Sequence, residues 1–457
     1  MLHSRRKFLK TGAVVAGATL FDVRQLLAAG PFTRLDVGGL TASSPALVSY
    51  AKAIKAMQAL PTTNPLSWAY QAAIHGTTLS GSHPAWRTCQ HGTPYFWSWH
   101  RMYLYWFERI IRKMSGDPNF ALPYWNYESA SERQLPAPFR DPASPLYTVN
   151  RGAGWNSGAA SLSSSAVATS GFMPLIPYFS AQSACEGTPH GSVHVSIGGW
   201  MGSVPTAAQD PIFYLHHSNI DRWWNLWLKQ GGGRTDPLTD TAWKTTKFLF
   251  FDENGAEKWM TGCDVLRALD QLSYSYQNEG TQVNEYCLKP LPLWVFAKEF
   301  VFELPPIKLP PGPDPGPIEF NVRQLRERML TLAKDPDTDV TLELEGVEAD
   351  KQPNVFWEVY AGLPKGEAPN ADSPYYIGNI ALFGHGIRDE HQHGGPASFS
   401  FKMDQAMERA LARDASGAMT ISFAARGAVI KGERGPRSDA TVTIGKARLA
   451  TRHLKKT

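Results

Sequence analysis

Along residues 44–60 the apolar positions Leu47, Tyr50, Ala51, Ile54 and Met57 recur every three or four residues, which predicts a helix with one buried stripe. Residues 99–114, WHRMYLYWFERIIRKM, are apolar nearly all round, the pattern of a helix enclosed by other elements. Residues 210–233 open on Asp-Pro, run through a helical body and stop on three glycines. Further along, the period shortens to two. DVTLELEGV, NVFWEVYAGL, YYIGNIALFG, ASFSFKM, AMTISFAA and ATVTIGKARL alternate, favour β-branched and aromatic residues, and are separated by turn residues. Helical patterns at 321–334 and 404–413 interrupt them. The boundary is a linker at 304–318, with seven prolines in its first fourteen positions, a composition that suits extended chain and not a helix or central strand. The fold class that follows is a mainly α domain over 31–303, an antiparallel β-sandwich over 319–451, and a basic tail at 452–457.

The charge balance, 45 Lys+Arg against 41 Asp+Glu, is too mild to point to a nucleic-acid partner. Residues 1–29 read as an export signal: SRRKFLK, then the apolar GAVVAGATL, then a small-residue exit near Ala28 and Ala29. The paired arginines favour the twin-arginine machinery, hence a periplasmic or extracellular location. No later run approaches the ~18 apolar residues of a membrane span. Cys89, Cys185, Cys263 and Cys287 show no CxxC spacing, which excludes a zinc ribbon, and they are too few for a disulfide scaffold.

Eight of the thirteen histidines fall between residues 75 and 217. His190 and His194, in HGSVH, are four apart and project from one helical face. His216 and His217 point about 100° apart on a helix, so at most one faces the same centre. Upstream stand His75, His83, His91 and His100, and ninety residues separate His100 from His190. Each cluster offers three imidazoles, and no carboxylate or thiolate repeats at an equivalent spacing. Imidazole-only sites suit copper or zinc. A single zinc takes three or four ligands, not six. Two three-histidine sites facing each other within a four-helix bundle describe a dicopper centre.

At this point the chain resembles a known family. HGTPYFWSWHRMYLYWFE, from His91, and HGSVH with GSVPTAAQDPIFYLHHSNIDRWW resemble the two copper motifs of the type-3 copper family, the tyrosinases, catechol oxidases and polyphenol oxidases, bacterial members included, over about residues 68–228. The resemblance implies two copper ions, one held by His75, His91 and His100 and the other by His190, His194 and His217, with His83 competing for the place of His75. It further implies a thioether from Cys89 to the His91 ring, a water held by Glu186, a place for Val204 at the mouth of the site, and one for Phe213 in its apolar wall. His216, Asn219 and Asp221 are placed among the hydrogen bonds that fix ligand tautomers. Tyr274-Ser-Tyr276 resembles the Tyr-x-Tyr motif that closes the catalytic domain. GNIALFGHGIRDEHQHGG and TVTIGKARL resemble the C-terminal domain of plant-type polyphenol oxidases, where that domain can cover the site entrance. In that loop Arg388, His391 and His393 are either metal-touching or simply exposed.

The function this implies is oxidation of small o-diphenols by O2 to o-quinones. Weaker monophenol hydroxylation is expected, because Gly191 stands where efficient hydroxylases of the family often carry an asparagine. An oxygen carrier like hemocyanin and a non-catalytic copper-binding protein are the alternatives.

Overall fold

The computed structural model describes residues 32–268, 271–277, 279, 294–312, 316–334, 338–384, 386, 395–414, 416–430 and 438–456. Residues 1–29, which the sequence reads as an export signal, and Arg388, His391 and His393 lie outside them.

The first part of the chain is helical, in elements that run β1 (Phe32–Arg34), α1 (Pro45–Gln58), α2 (Trp68–His75), α3 (Phe96–Ser115), β2 (Ala160–Ser161), α4 (Tyr178–Cys185), α5 (Ser192–Ile197), α6 (Val204–Ala207), α7 (Ile212–Lys229) and α8 (Thr241–Thr245). Strands β3 (Phe248–Phe251), β4 (Glu257–Met260) and β5 (Tyr274–Tyr276) follow. Pro45 starts α1 at a position whose N–H would lack a helical partner in any residue. Its buried stripe is Leu47, Tyr50, Ala53, Ile54 and Met57. Ala53, one turn from both Tyr50 and Met57, is buried in place of Ala51, which lies at the other edge of the stripe and is half-buried. α3 buries most of its length and ends on Gly116 at φ 71°, a left-handed stop that glycine adopts without strain. α7 is fully helical to Lys229, and Gly231, Gly232 and Gly233, all at positive φ, turn the chain away. β5 lies parallel to β1, Tyr274 beside Phe32 and Tyr276 beside Arg34.

The second part is β-rich: β6 (Trp294–Glu303), β7 (Ile307–Leu309), β8 (Ile318–Asn321), α9 (Arg326–Lys334), β9 (Thr338–Ala349), β10 (Phe356–Ala361), β11 (Tyr376–Ile380), β12 (Ala397–Lys402), α10 (Asp404–Arg413), β13 (Ala418–Arg426), β14 (Val429–Ile430) and β15 (Val442–Lys456). One sheet runs β11-β10-β13-β8; the other runs β12-β9-β15-β6, with β7 also on β15. All pairings in both sheets are antiparallel. Leu342, Leu344 and Leu449 of one sheet share an apolar cluster with Trp357, Val359 and Ile421 of the other.

The proline-rich segment does not mark the boundary. β6, expected in the helical domain, pairs with β15 from Glu303↔Arg448 to Trp294↔Lys456, so the second unit already includes Trp294. Pro305 and Pro306 separate β6 from β7 rather than one domain from the next, and Ile307–Leu309 pairs with β15 between two prolines that need no ladder partner.

The two units are joined by packing and by backbone pairing. β14 pairs with β2 across them, Val429↔Ser161 and Ile430↔Ala160. Asn379 Nδ2 donates to Ser165 O at 2.8 Å. Ala381 and Phe383, just past β11, are fully buried in the apolar cluster of the helical part.

Candidate metal centre

His75 closes α2, and its Nδ1 lies 3.2 Å from Val204 O. The next residue must be small, because a Cβ on Gly76 would come within 2.5 Å of that same carbonyl oxygen. His91 stands in the loop before α3, with Cys89 Sγ 3.6 Å from its Nδ1. His100 and His190 each turn Nδ1 back to the carbonyl four residues earlier, Phe96 O at 2.8 Å and Glu186 O at 3.0 Å. His194, in α5, faces Met201 O at 2.7 Å. A carbonyl only accepts, so in these four rings with a carbonyl partner Nδ1 carries the hydrogen and Nε2 keeps its lone pair for a ligand.

The rings converge. His75, His91 and His100 have centroids 5.2–5.7 Å apart. His190, His194 and His217 have centroids 4.7–5.5 Å apart. The groups meet where His100 stacks on His217 at 4.4 Å and His91 approaches His190 at 5.4 Å. Burial drives His75 down to about 3, and burial reinforced by neighbouring imidazoles holds His100, His190, His194 and His217 well below the ordinary histidine value, so the rings are neutral.

These residues fit bound metal. Nε2 of His75, His100 and His190 is buried with no hydrogen-bond partner among the described residues, an unsatisfied state that a folded interior rarely tolerates. Nε2 of His194 and His217 lie 3.3 Å apart. That is the spacing of two ligand atoms each about 2.0–2.1 Å from one ion. Ligand atoms of His190, His194, His216 and His217 form one group within 4.8 Å of one another, and those of His75, His100 and His217 form a second. His83 is elsewhere: its Nδ1 accepts from Ala85 N, and its ring packs on Tyr70 and Phe251.

Phe213 packs edge-on against His75 at 4.7 Å and lies 4.2 Å from His217, in the wall of the centre. Val204 is 7% exposed and presents its carbonyl to His75. Glu186 Oε1 accepts from Gly92 N at 2.6 Å; burial pushes its carboxyl up to about 8 against the opposing pull of that N–H. Gly191 is buried with Ala381 against it, where an added Cβ would sit 3.2 Å from the Ala381 Cβ.

One expected role is corrected. Asp221 bonds to no ligand histidine; it accepts from Arg101 Nε at 2.5 Å, Arg34 Nη1 at 3.2 Å, Tyr274 OH at 2.5 Å and Tyr276 OH at 2.6 Å. Two buried guanidinium groups capture its carboxylate, so it ties β1, α3, α7 and β5 together. Asn219 Oδ1 accepts from Arg222 Nη1 at 3.3 Å. His216 Nδ1 lies 2.8 Å from Tyr127 OH.

Three contacts are not written in the histidine motifs. Tyr127 is known only from its place beside His216. Ala381 and Phe383 arrive from the β-rich part: the Phe383 ring lies parallel to His194 at 3.9 Å and 9°, with His190 and His91 at 5.5 and 5.6 Å. Aromatic residues before a strand loop carry no local signal for a partner so distant in sequence.

Comparison with known proteins agrees with this geometry. The common central domain of tyrosinase matches residues 65–159 and 150–230, and the polyphenol oxidase middle domain matches 237–286. The chain is 30% identical over 409 residues to a chloroplastic polyphenol oxidase of Malus domestica, covering 75% of this chain and 67% of that one. It is 36% identical over 259 residues to the tyrosinase HcTyr1 of a Hahella species, covering 45% of this chain and 55% of that one. In fold it matches a latent apple tyrosinase with a TM-score of 0.62 at 24% identity, over 93% of this chain and 97% of that one. Buried histidine clusters, matched motifs and shared fold lead to one assignment: the chain belongs to the tyrosinase and polyphenol oxidase family of copper oxidoreductases.

Proposed function

We propose that the chain is a polyphenol oxidase that oxidises o-diphenols to o-quinones, with His75, His91 and His100 holding one copper and His190, His194 and His217 the other. The observation that carries this is the pair of buried three-imidazole groups, with backbone carbonyls fixing the ring tautomer in four of the six. Two copper ions so held supply the redox chemistry: each catechol gives up two electrons and two protons, and O2 takes four of each to leave as water. Phe213 and the ligand rings form an apolar slot that orients a phenol by ring contact. The test is O2 uptake with a catechol and with the matching monophenol. An oxygen carrier, a reading favoured only by the ring of Phe383 over the centre, would take up no O2 in turnover with either.

Gly191 has no side chain to hold a base water, and Ala381 fills the space where one would grow. General-base assistance is worth about 10²–10⁴-fold. Catechol kcat/KM is therefore expected to exceed that of the monophenol by about 10²-fold, with a lag on the monophenol; comparable values without a lag would contradict this.

The β-rich part acts as a cover. Phe383 occupies the face of His194 that a phenol ring would use, so substrate must displace it. Burying a phenylalanine contributes about 1.5–3 kcal/mol. Phe383→Ala in the full chain is expected to raise catechol kcat/KM by about 10- to 100-fold, the same energy read as competition. Unchanged kcat/KM in a folded, copper-loaded variant would count against the cover.

Cys89 is buried beside His91, the placement that supports a thioether between them. Copper loading under air is then expected to lower the intact mass by two hydrogens, and Cys89→Ser should abolish the change. A full-mass wild-type chain after loading would refute the bond.

A further inference from the structure

Four imidazoles, not three, crowd the second half of the centre. Ligand atoms of His190, His194, His216 and His217 lie within 4.8 Å of one another, and all four residues are fully buried. Something must decide which three bind. Polar contacts leading to His216 decide it. Arg222 only donates, so its bond to Asn219 at 3.3 Å fixes Oδ1 toward the guanidinium; the Asn219 NH2 beside Tyr127 makes no hydrogen bond among the described residues and offers the phenol no acceptor. Left with one partner, the phenol sends its hydrogen to His216 Nδ1 at 2.8 Å, because an O–H buried without an acceptor is costly. A neutral imidazole carries one hydrogen. If Nδ1 accepts, the hydrogen sits on Nε2, which is buried without a hydrogen-bond partner among the described residues.

We propose that Tyr127 holds His216 as the Nε2–H tautomer, so that this fourth imidazole cannot ligate and the second metal position keeps three ligands. The backbone-bonded histidines have the opposite polarity: their Nδ1–H donates to a carbonyl and their Nε2 is free to bind. Arg222, Asn219 and Tyr127 are thus positioning residues that act through His216. An open ligand position is what a metal needs to act on substrate rather than merely hold the fold. The inference rests on the copper reading above only for its consequence, not for the tautomer.

Histidine 15N NMR on the metal-free full chain tests the tautomer directly, with the His216 signals identified by their loss in His216→Gln. The expected result is an unprotonated Nδ1 and a protonated Nε2. Asn219→Asp reverses the polarity, because a carboxylate accepts the Tyr127 hydrogen and the phenol oxygen then accepts from Nδ1–H. In that variant the hydrogen is expected on Nδ1. Tyr127→Phe removes the hydroxyl while keeping the ring packed between Trp125 and Trp223, whose centroids are 5.1 and 5.4 Å away. In the copper-loaded protein, X-ray absorption should count about three imidazole nitrogens per copper in the wild type and about three and a half in Asn219→Asp and Tyr127→Phe. A wild-type hydrogen on Nδ1, an unmoved hydrogen in Asn219→Asp, or an unchanged count in both variants would overturn the proposal. A chain that takes up no copper while the NMR result holds would sink the oxidase reading and leave the tautomer lock standing.

Discussion

His217→Ala is expected to lose one of two copper ions and to lower catechol turnover at least about 10³-fold, some 4 kcal/mol of barrier. His217 is the residue that the two groups of ligand atoms share, one with His75 and His100 and the other with His190, His194 and His216. Its ring stacks on His100 and its Nε2 faces that of His194, so no other side chain replaces both contacts. His216→Gln, on the adjacent residue, is expected to keep two copper ions and to lose at most about 10-fold in copper affinity, because the hydrogen bond of His216 goes to Tyr127 and not to a ligand histidine. Metal analysis with kcat on the two variants separates the neighbours. Equal losses of copper would mean that the adjacent pair has been assigned the wrong way round.

Asp221→Ala is expected to destabilise the folded chain by about 3–5 kcal/mol, because it strands buried charge. Arg101 has no other carboxylate partner among the described residues, and Arg34 keeps only Glu108 at 2.9 Å. Burial alone would raise the Asp221 carboxyl, but Arg101, Arg34 and the two tyrosine hydroxyls outweigh it and hold it below the ordinary aspartate value. A depressed folded value gives stability that is present above the unfolded pKa and lost as pH falls through the folded one. The contribution of Asp221 should therefore disappear in the acid range below ordinary aspartate titration, and denaturant midpoints of wild type and variant should converge there. A variant of wild-type stability but weakened copper binding would restore the role that the sequence suggested for Asp221.

The helices were legible because their apolar period is local. Leu47, Tyr50, Ile54 and Met57 need only 3.6 residues per turn to fall on one face. The choice between Ala51 and Ala53 was not legible, since both lie within the stripe and only the neighbouring elements select. β6 alternates openly in WVFAKEFVFE, yet the proline run beside it drew the boundary one strand too late. The histidines were legible through spacing on helices, and the place of His75 over His83 is explained by Gly76, which lets Val204 O approach. Asp221 misled because it stands four residues past His217, while its partners Arg34, Tyr274 and Tyr276 are set by tertiary contacts that no local pattern reports. Phe383 was hidden for the same reason: its partner His194 belongs to the other part of the chain.

The proposal that two copper ions sit together between these histidines and oxidise catechols is tested most directly by O2 uptake with a catechol, read against copper content and the EPR of the oxidised protein in one preparation of the full chain. Two copper ions per chain, no EPR signal because the two spins couple, and O2 consumption that scales with copper content are expected. One ion per chain, or two with the full EPR signal of isolated copper and no O2 consumption, would contradict it.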